Sequence, residues 1–218
     1  MNDRINNEVI EMLKKSGGVI TDSHLVYTSG KHGSVYINKD ALYPHTELSS
    51  RIGELFAQTH KDIEIDVVAA PALGGIILSQ WTAYHLSKLK GKDIFGIYTE
   101  KNAEKNQVFT RGYDKLVKDK NVLVVEDLTT TGGSVLKVVN SVKNAGGNVV
   151  AVAVMVNRNP EHVNSDMYGV PFSSLAILKA EAWDEADCQL CKTNVPINTS
   201  IGHGKKYLEA KEATEKAA

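Results

Sequence analysis

The chain has 218 residues, 42% of them hydrophobic and 23% charged, with a formal net charge of −1. This length fits one globular domain with a sizeable core, and near-neutral charge with no long basic run excludes an electrostatic nucleic-acid footprint. No apolar stretch reaches the length of a membrane span, and the start Met1-Asn2-Asp3-Arg4-Ile5 lacks a signal-peptide pattern, so a cytoplasmic location is the default expectation.

Residues 4–16 read as an amphipathic helix, with Ile5, Val9, Ile10 and Leu13 on one face and Gly17-Gly18 as the stop. Val19 to Asp40 holds two short extended pieces, broken by Thr28-Ser29-Gly30-Lys31-His32-Gly33. With the first helix they make a small hood over about residues 1–45. A core over about 46–180 follows. Leu48, Ile52, Leu55 and Phe56 mark its first helix, with Thr46 as the candidate N-cap. Asp66 to Ala70 reads as a strand, Pro71 to Gly75 as a turn, Ile76 to Leu89 as a helix and Ile94 to Tyr98 as another strand.

Thr99 to Lys120 is a long polar stretch with many charges and no period, of the kind that is usually functional. Val122 to Val125 is a continuous apolar run, read as a strand buried on both faces, and a helix begins near Val135. Val149 to Val156 and a short piece near Leu175 to Leu178 are the last strands. The C-terminal extension, about 181–218, carries the only two cysteines, Cys188 and Cys191, and ends in a Lys-, Glu- and Ala-rich tail helix over 205–217. A structural zinc site needs four ligands, and only His203 offers an obvious third nearby, so the pair reads as two reduced thiols in a tail segment.

The alternation of strands and helices implies an α/β fold, a Rossmann-like and mostly parallel sheet flanked by helices. Ligands in such sheets bind beyond the carboxyl ends of the strands. Ala70-Pro71, Thr99, Glu126-Asp127 and Asn157-Arg158 all fall at that edge.

Between the strand at Val122 and the helix at Val135 stands Glu126-Asp127-Leu128-Thr129-Thr130-Thr131-Gly132-Gly133-Ser134. A hydroxyl- and glycine-rich loop opening a helix aims backbone N–H groups at an anion, most plausibly a phosphate. The two carboxylates, following where the strand emerges, repel phosphate and must serve hydroxyls or a metal. Phosphate beside a vicinal diol describes a sugar phosphate. The glycine spacing is neither that of a P-loop nor that of a dinucleotide fold.

This string resembles the phosphoribosyl diphosphate (PRPP) signature of the type I phosphoribosyltransferases. Tyr27 to Asp40, Ala70 to Ile76, Val156-Asn157-Arg158 and Gln189 to Ile197 resemble segments of the orotate-using branch of that family, its longer form, in register over about residues 17–197. The resemblance implies the type I phosphoribosyltransferase fold and transfer of the phosphoribosyl group from PRPP to orotate, giving orotidine monophosphate and pyrophosphate. It implies Mg2+ carried by PRPP oxygens with no direct protein ligand. It also implies a homodimer in which loop 99–112 crosses to the other subunit.

Residue by residue, it assigns the 5-phosphate to Thr129–Ser134 and the ribose hydroxyls to Glu126 and Asp127. Leu128, Ala72 and Gly74 join the PRPP contacts. Lys101, with Arg111, neutralises the departing pyrophosphate, so Asp127 and Lys101 are the catalytic candidates. Thr130 and Arg158 contact orotate. Shorter relatives carry lysines where Gly74 and Thr28 stand here, which leaves the roles of individual basic residues open. Lys105 reads as a solvated charge, Tyr36 equally as hood core, and Asn38-Lys39-Asp40 as a turn. Transfer to a purine or to uracil, and PRPP binding without catalysis, remain the alternatives.

Overall fold

The computed structural model describes residues 3–27, 29–179 and 181–217; the Thr28 position lies outside them. The hood comprises helix α1 (Asp3–Lys15) and four two-residue strands, β1 (Val19–Ile20), β2 (Leu25–Val26), β3 (His32–Gly33) and β4 (Tyr36–Ile37). Two extended pieces were expected; instead β1 pairs with β4 and β2 with β3, both antiparallel. The glycine-containing break is the turn that lets β3 fold back on β2, with Tyr27 N–H donating to the Lys31 carbonyl at 2.8 Å.

The core runs α2 (Thr46–Thr59), β5 (Val67–Pro71), α3 (Gly74–Lys90), β6 (Phe95–Lys101), β7 (Gln107–Val108), α4 (Asp114–Val117), β8 (Asn121–Thr129), α5 (Gly133–Asn144), β9 (Asn148–Asn157), α6 (Ser165–Tyr168) and β10 (Phe172–Ile177). Two helices close the chain, α7 (Gln189–Lys192) and α8 (Gly204–Ala217). The main sheet has the order β10-β9-β8-β5-β6-β7, parallel throughout except for β7.

Alternate residues of each strand face opposite layers. Val68, Ala70, Leu123, Val125 and Ala153 pack with Leu13 of α1, Ile52 and Phe56 of α2 and Leu78 and Leu86 of α3. Val67, Ala69, Val122, Val124 and Val152 pack with Val135, Val138, Val139 and Val142 of α5. Val122 to Val125 are fully buried, as a strand covered on both sides requires. Burying one such aliphatic side chain contributes about 1.5–3 kcal/mol, so these two layers hold the sheet flat against its helices.

The structure corrects several boundaries. β8 does not end at Val125: its pairing with β9 continues through Glu126↔Val154, Leu128↔Val156 and Thr129↔Asn157, so both carboxylates lie on the strand. Thr46 is the first helical residue of α2, and the cap position is His45, without a side-chain cap bond. The stretch Thr99–Lys120 is not structureless. It extends β6 to Lys101, turns back as β7 and forms α4, because Glu100↔Val108 and Lys101↔Gln107 supply a ladder that no apolar period announces. The last strand begins at Phe172, earlier than the apolar run at Leu175.

The cysteine segment is not a loose tail. Cys188 is fully buried, and the extension is tied to the hood through bridges His24↔Ile197 and His32↔Trp183.

Candidate active site

The strand order reverses at β5, which pairs with β6 on one side and β8 on the other. Connections leaving adjacent strands in opposite directions open a crevice at their carboxyl ends, where open α/β sheets bind ligands. Two loops meet there: residues 72–73 after β5 and 130–132 after β8.

The second loop is shaped by its own side chains. Thr129 is buried, and its hydroxyl accepts from Gly132 N–H at 3.1 Å. Gly132 has φ 73°, and a Cβ there would meet Met167 Sδ, so only glycine fits the turn. Thr130, Thr131 and Ser134 remain exposed at the start of the twelve-residue α5, and Gly133 is its first residue. Their hydroxyls join the unpaired N–H groups of the first helical turn, a surface that attracts phosphate. Leu128 is partly buried and packs against the core.

Both carboxylates are nearly buried, Glu126 at 7% exposure and Asp127 at 4%. Burial, reinforced by the negative charge of Asp127, pushes the Glu126 carboxyl well above its ordinary pKa. Asp127 Oδ1 accepts from Leu128 N–H at 2.6 Å. Its Oδ2 receives Lys39 Nζ at 2.7 Å and the Tyr43 hydroxyl at 2.8 Å. Burial alone would lower the Lys39 pKa, but the hydrogen bond and charge of Asp127 hold it above the ordinary value.

Lys39 therefore does more than shape a turn, and the sequence offered no signal for it beyond a lysine in the hood segment. Gly74 makes the approach possible. A Cβ there would stand 2.0 Å from Asp127 Oδ2 and 2.9 Å from Lys39 Nζ. The missing side chain leaves room for the lysine from the hood. Ala72, half-buried beside it, is anchored by its N–H to the Thr99 carbonyl at 2.8 Å.

Lys101 and Arg111 do not join this cluster. Lys101 ends β6 and is exposed. Arg111 pairs with Glu100 at 3.3 Å and lies 5.8 Å over the Tyr98 ring. Their hairpin rests on α5 of the same chain, with Lys137 Nζ donating to the Lys105 carbonyl at 2.7 Å and Ser141 bonded to the Gln107 carbonyl.

A separate cleft of about 630 Å³ lies between the hood, the β8 loop and the extension. Tyr27, Tyr36, Thr130, Arg158, Ala182 and His203 are among its walls. Arg158 N–H donates to the Thr129 carbonyl at 2.8 Å, which fixes the arginine beside the phosphate loop. Its Nε is buried and has no hydrogen-bond partner among the described residues.

A phosphate loop, two carboxylates and a neighbouring cleft at the switch point of a parallel sheet define a phosphoribosyltransferase of type I. Residues 38–185 match the phosphoribosyl transferase domain family. Orotate phosphoribosyltransferase of Thermoanaerobacter sp. (strain X514) is 37% identical over 190 residues, 87% of this chain and 94% of that protein. That of Thermotoga maritima is 35% identical over 197 residues, 90% and 98% of the two chains. The Mycobacterium tuberculosis H37Rv orotate phosphoribosyltransferase, solved in complex with PRPP, superimposes with a TM-score of 0.59 at 25% identity, over 80% of this chain and 96% of that one. The chain belongs to the orotate phosphoribosyltransferase family.

Proposed function

We propose that the chain transfers the 5-phosphoribosyl group from PRPP to orotate, forming orotidine 5′-monophosphate and pyrophosphate for pyrimidine biosynthesis in the cytoplasm. The observation that carries the choice of base is Arg158. A buried guanidinium nitrogen without a partner, in a cleft it shares with Thr130, costs stability until an acceptor arrives. The orotate carboxylate supplies a charged acceptor, whereas uracil offers only neutral carbonyls.

Displacement at the anomeric carbon passes through an oxocarbenium-like state, as in glycoside cleavage. In this reading the hydroxyls of Thr130, Thr131 and Ser134 and the first-turn N–H groups of α5 hold the 5-phosphate. Glu126 and Asp127 hydrogen-bond the ribose hydroxyls, and the negative charge of Asp127 favours the cationic sugar. The ribose must displace Lys39 from Asp127 Oδ2. The released ammonium then lies beside residues 72–74, where it neutralises pyrophosphate in place of a loop lysine. Orotate is already anionic, so no strong general base is required.

The residues present fit an Mg2+ brought in with PRPP. With Glu126 and Asp127 given to the ribose hydroxyls, an ion carried by PRPP oxygens would need no cage of protein ligands. Such an ion would supply positive charge to stabilise the departing pyrophosphate. We further propose a homodimer in which segment 99–112 serves the other subunit. Lys101 and Arg111 are exposed, and neither pairs with Glu126 or Asp127 in its own chain.

An absorbance assay with PRPP, Mg2+ and a panel of bases tests the reading. Orotate should be consumed far faster than uracil, hypoxanthine or adenine; turnover of another base with orotate ignored would overturn it.

A further inference from the structure

Outside the active site, four side chains from opposite ends of the chain converge. His24 and His32 come from the hood, Cys188 and Cys191 from the extension, and one ligand atom from each lies within 4.8 Å of all the others. Cys191 Sγ is 3.3 Å from His32 Nδ1 and 3.7 Å from His24 Nε2. Cys188 Sγ is also 3.7 Å from His24 Nε2, and the two imidazole nitrogens are 2.8 Å apart.

Tetrahedral zinc, with bonds of about 2.3 Å to sulfur and about 2.0–2.1 Å to nitrogen, sets neighbouring donors roughly 3.3–3.8 Å apart. These three nitrogen–sulfur separations are close to those of a filled site. The imidazole pair sits closer, by about half an ångström.

The protonation pattern agrees. His24 Nδ1 lies 2.7 Å from the Val195 carbonyl, which can only accept, so Nδ1 carries the proton and Nε2 turns a lone pair into the cluster. His32 and Cys188 are fully buried and His24 is 2% exposed. Two thiolates balance a divalent cation, so a filled site would bury no net charge. A thiol–disulfide active site fits poorly: both cysteines are free thiols, and one of them has no solvent access. Soft sulfur with imidazole in a closed four-donor set selects zinc over magnesium or calcium.

We propose that His24, His32, Cys188 and Cys191 form a structural zinc site that staples the hood to the C-terminal extension. Its position gives it a consequence for the base cleft. The same two segments share the His24↔Ile197 and His32↔Trp183 bridges, and the Asn198 N–H donates to the His24 carbonyl at 2.7 Å. From there the hood supplies Tyr27, Ser29 and Tyr36 to the cleft, and the extension supplies Ala182, Gly202 and His203. The metal would hold these two walls at a fixed spacing, while the phosphate loop on β8 and α5 stands on the sheet without it.

The test is elemental analysis of the full chain, purified without a metal-affinity step. About one zinc per chain is expected, and the Cys188→Ser/Cys191→Ser variant should lose it at least tenfold. Cobalt(II) added to chelator-treated wild type should give the visible and thiolate charge-transfer bands of a tetrahedral sulfur site. Zinc should restore a melting temperature that the chelator lowers. Should the double variant fail to fold, the wild-type metal content and cobalt spectrum decide the matter. Metal-free protein whose melting temperature ignores added zinc and which gives no cobalt–thiolate band would overturn the proposal. So would a native Cys188–Cys191 disulfide.

Discussion

Lys39 Nζ sits 2.7 Å from Asp127 Oδ2, although 88 residues separate them in the chain. In the proposed mechanism the ion pair closes the ribose site of the ligand-free enzyme with a cation that the leaving group would need. Lys39→Met should therefore lower kcat/KM for PRPP by about tenfold to a hundredfold, the worth of one charged hydrogen bond, and leave the orotate KM nearly unchanged. If Lys39 only blocked Asp127, its loss would tighten PRPP binding, and steady-state kinetics separate the two outcomes.

Asp127→Asn should keep the fold and cut turnover by about a hundredfold or more, because the amide loses the negative charge facing the cationic sugar. Circular dichroism establishes the fold and the orotate assay the rate. Near-normal turnover would remove Asp127 from its role.

Glu126 carries a pH signature. Its carboxyl is held well above the ordinary value by burial and by Asp127, so the folded state keeps a proton that the unfolded state releases. Stability is untouched below the unfolded pKa and falls as pH rises toward the folded one. Glu126→Gln removes that loss. Its melting temperature should match wild type near pH 4 and exceed it increasingly toward neutral pH, by about 2–4 °C for each kcal/mol relieved. Activity should fall in the same variant; a stability gain independent of pH would contradict the assignment.

Arg158→Ala should raise the orotate KM about tenfold or more with little change for PRPP, since a lost charged hydrogen bond is worth roughly 1.5–3 kcal/mol. Unchanged orotate kinetics would leave the base preference without its cation.

Hybrid dimers test the loop. Lys101→Ala chains mixed with Asp127→Asn chains should regain one site with both groups intact, and activity should rise above either parent. No recovery in hybrids verified by mass spectrometry would confine Lys101 to its own subunit or remove it from catalysis.

The sequence by itself determined the buried strands of the sheet and the hydroxyl- and glycine-rich loop between β8 and α5. Val122 to Val125 reads as a doubly covered strand and the Thr- and Gly-rich turn before Val135 as the opening of a helix, and both elements are present. These signals are local, written in period and in turn chemistry. What the tertiary structure decided is who meets whom across the chain. Lys39 read as part of a turn and is the partner of Asp127, made possible by a missing side chain at Gly74. The cysteines were read against His203, their neighbour in sequence; the structure brings them to His24 and His32 instead, 164 residues away between His24 and Cys188. Such pairings depend on how the hood closes over the sheet edge, and no spacing along one segment encodes that closure.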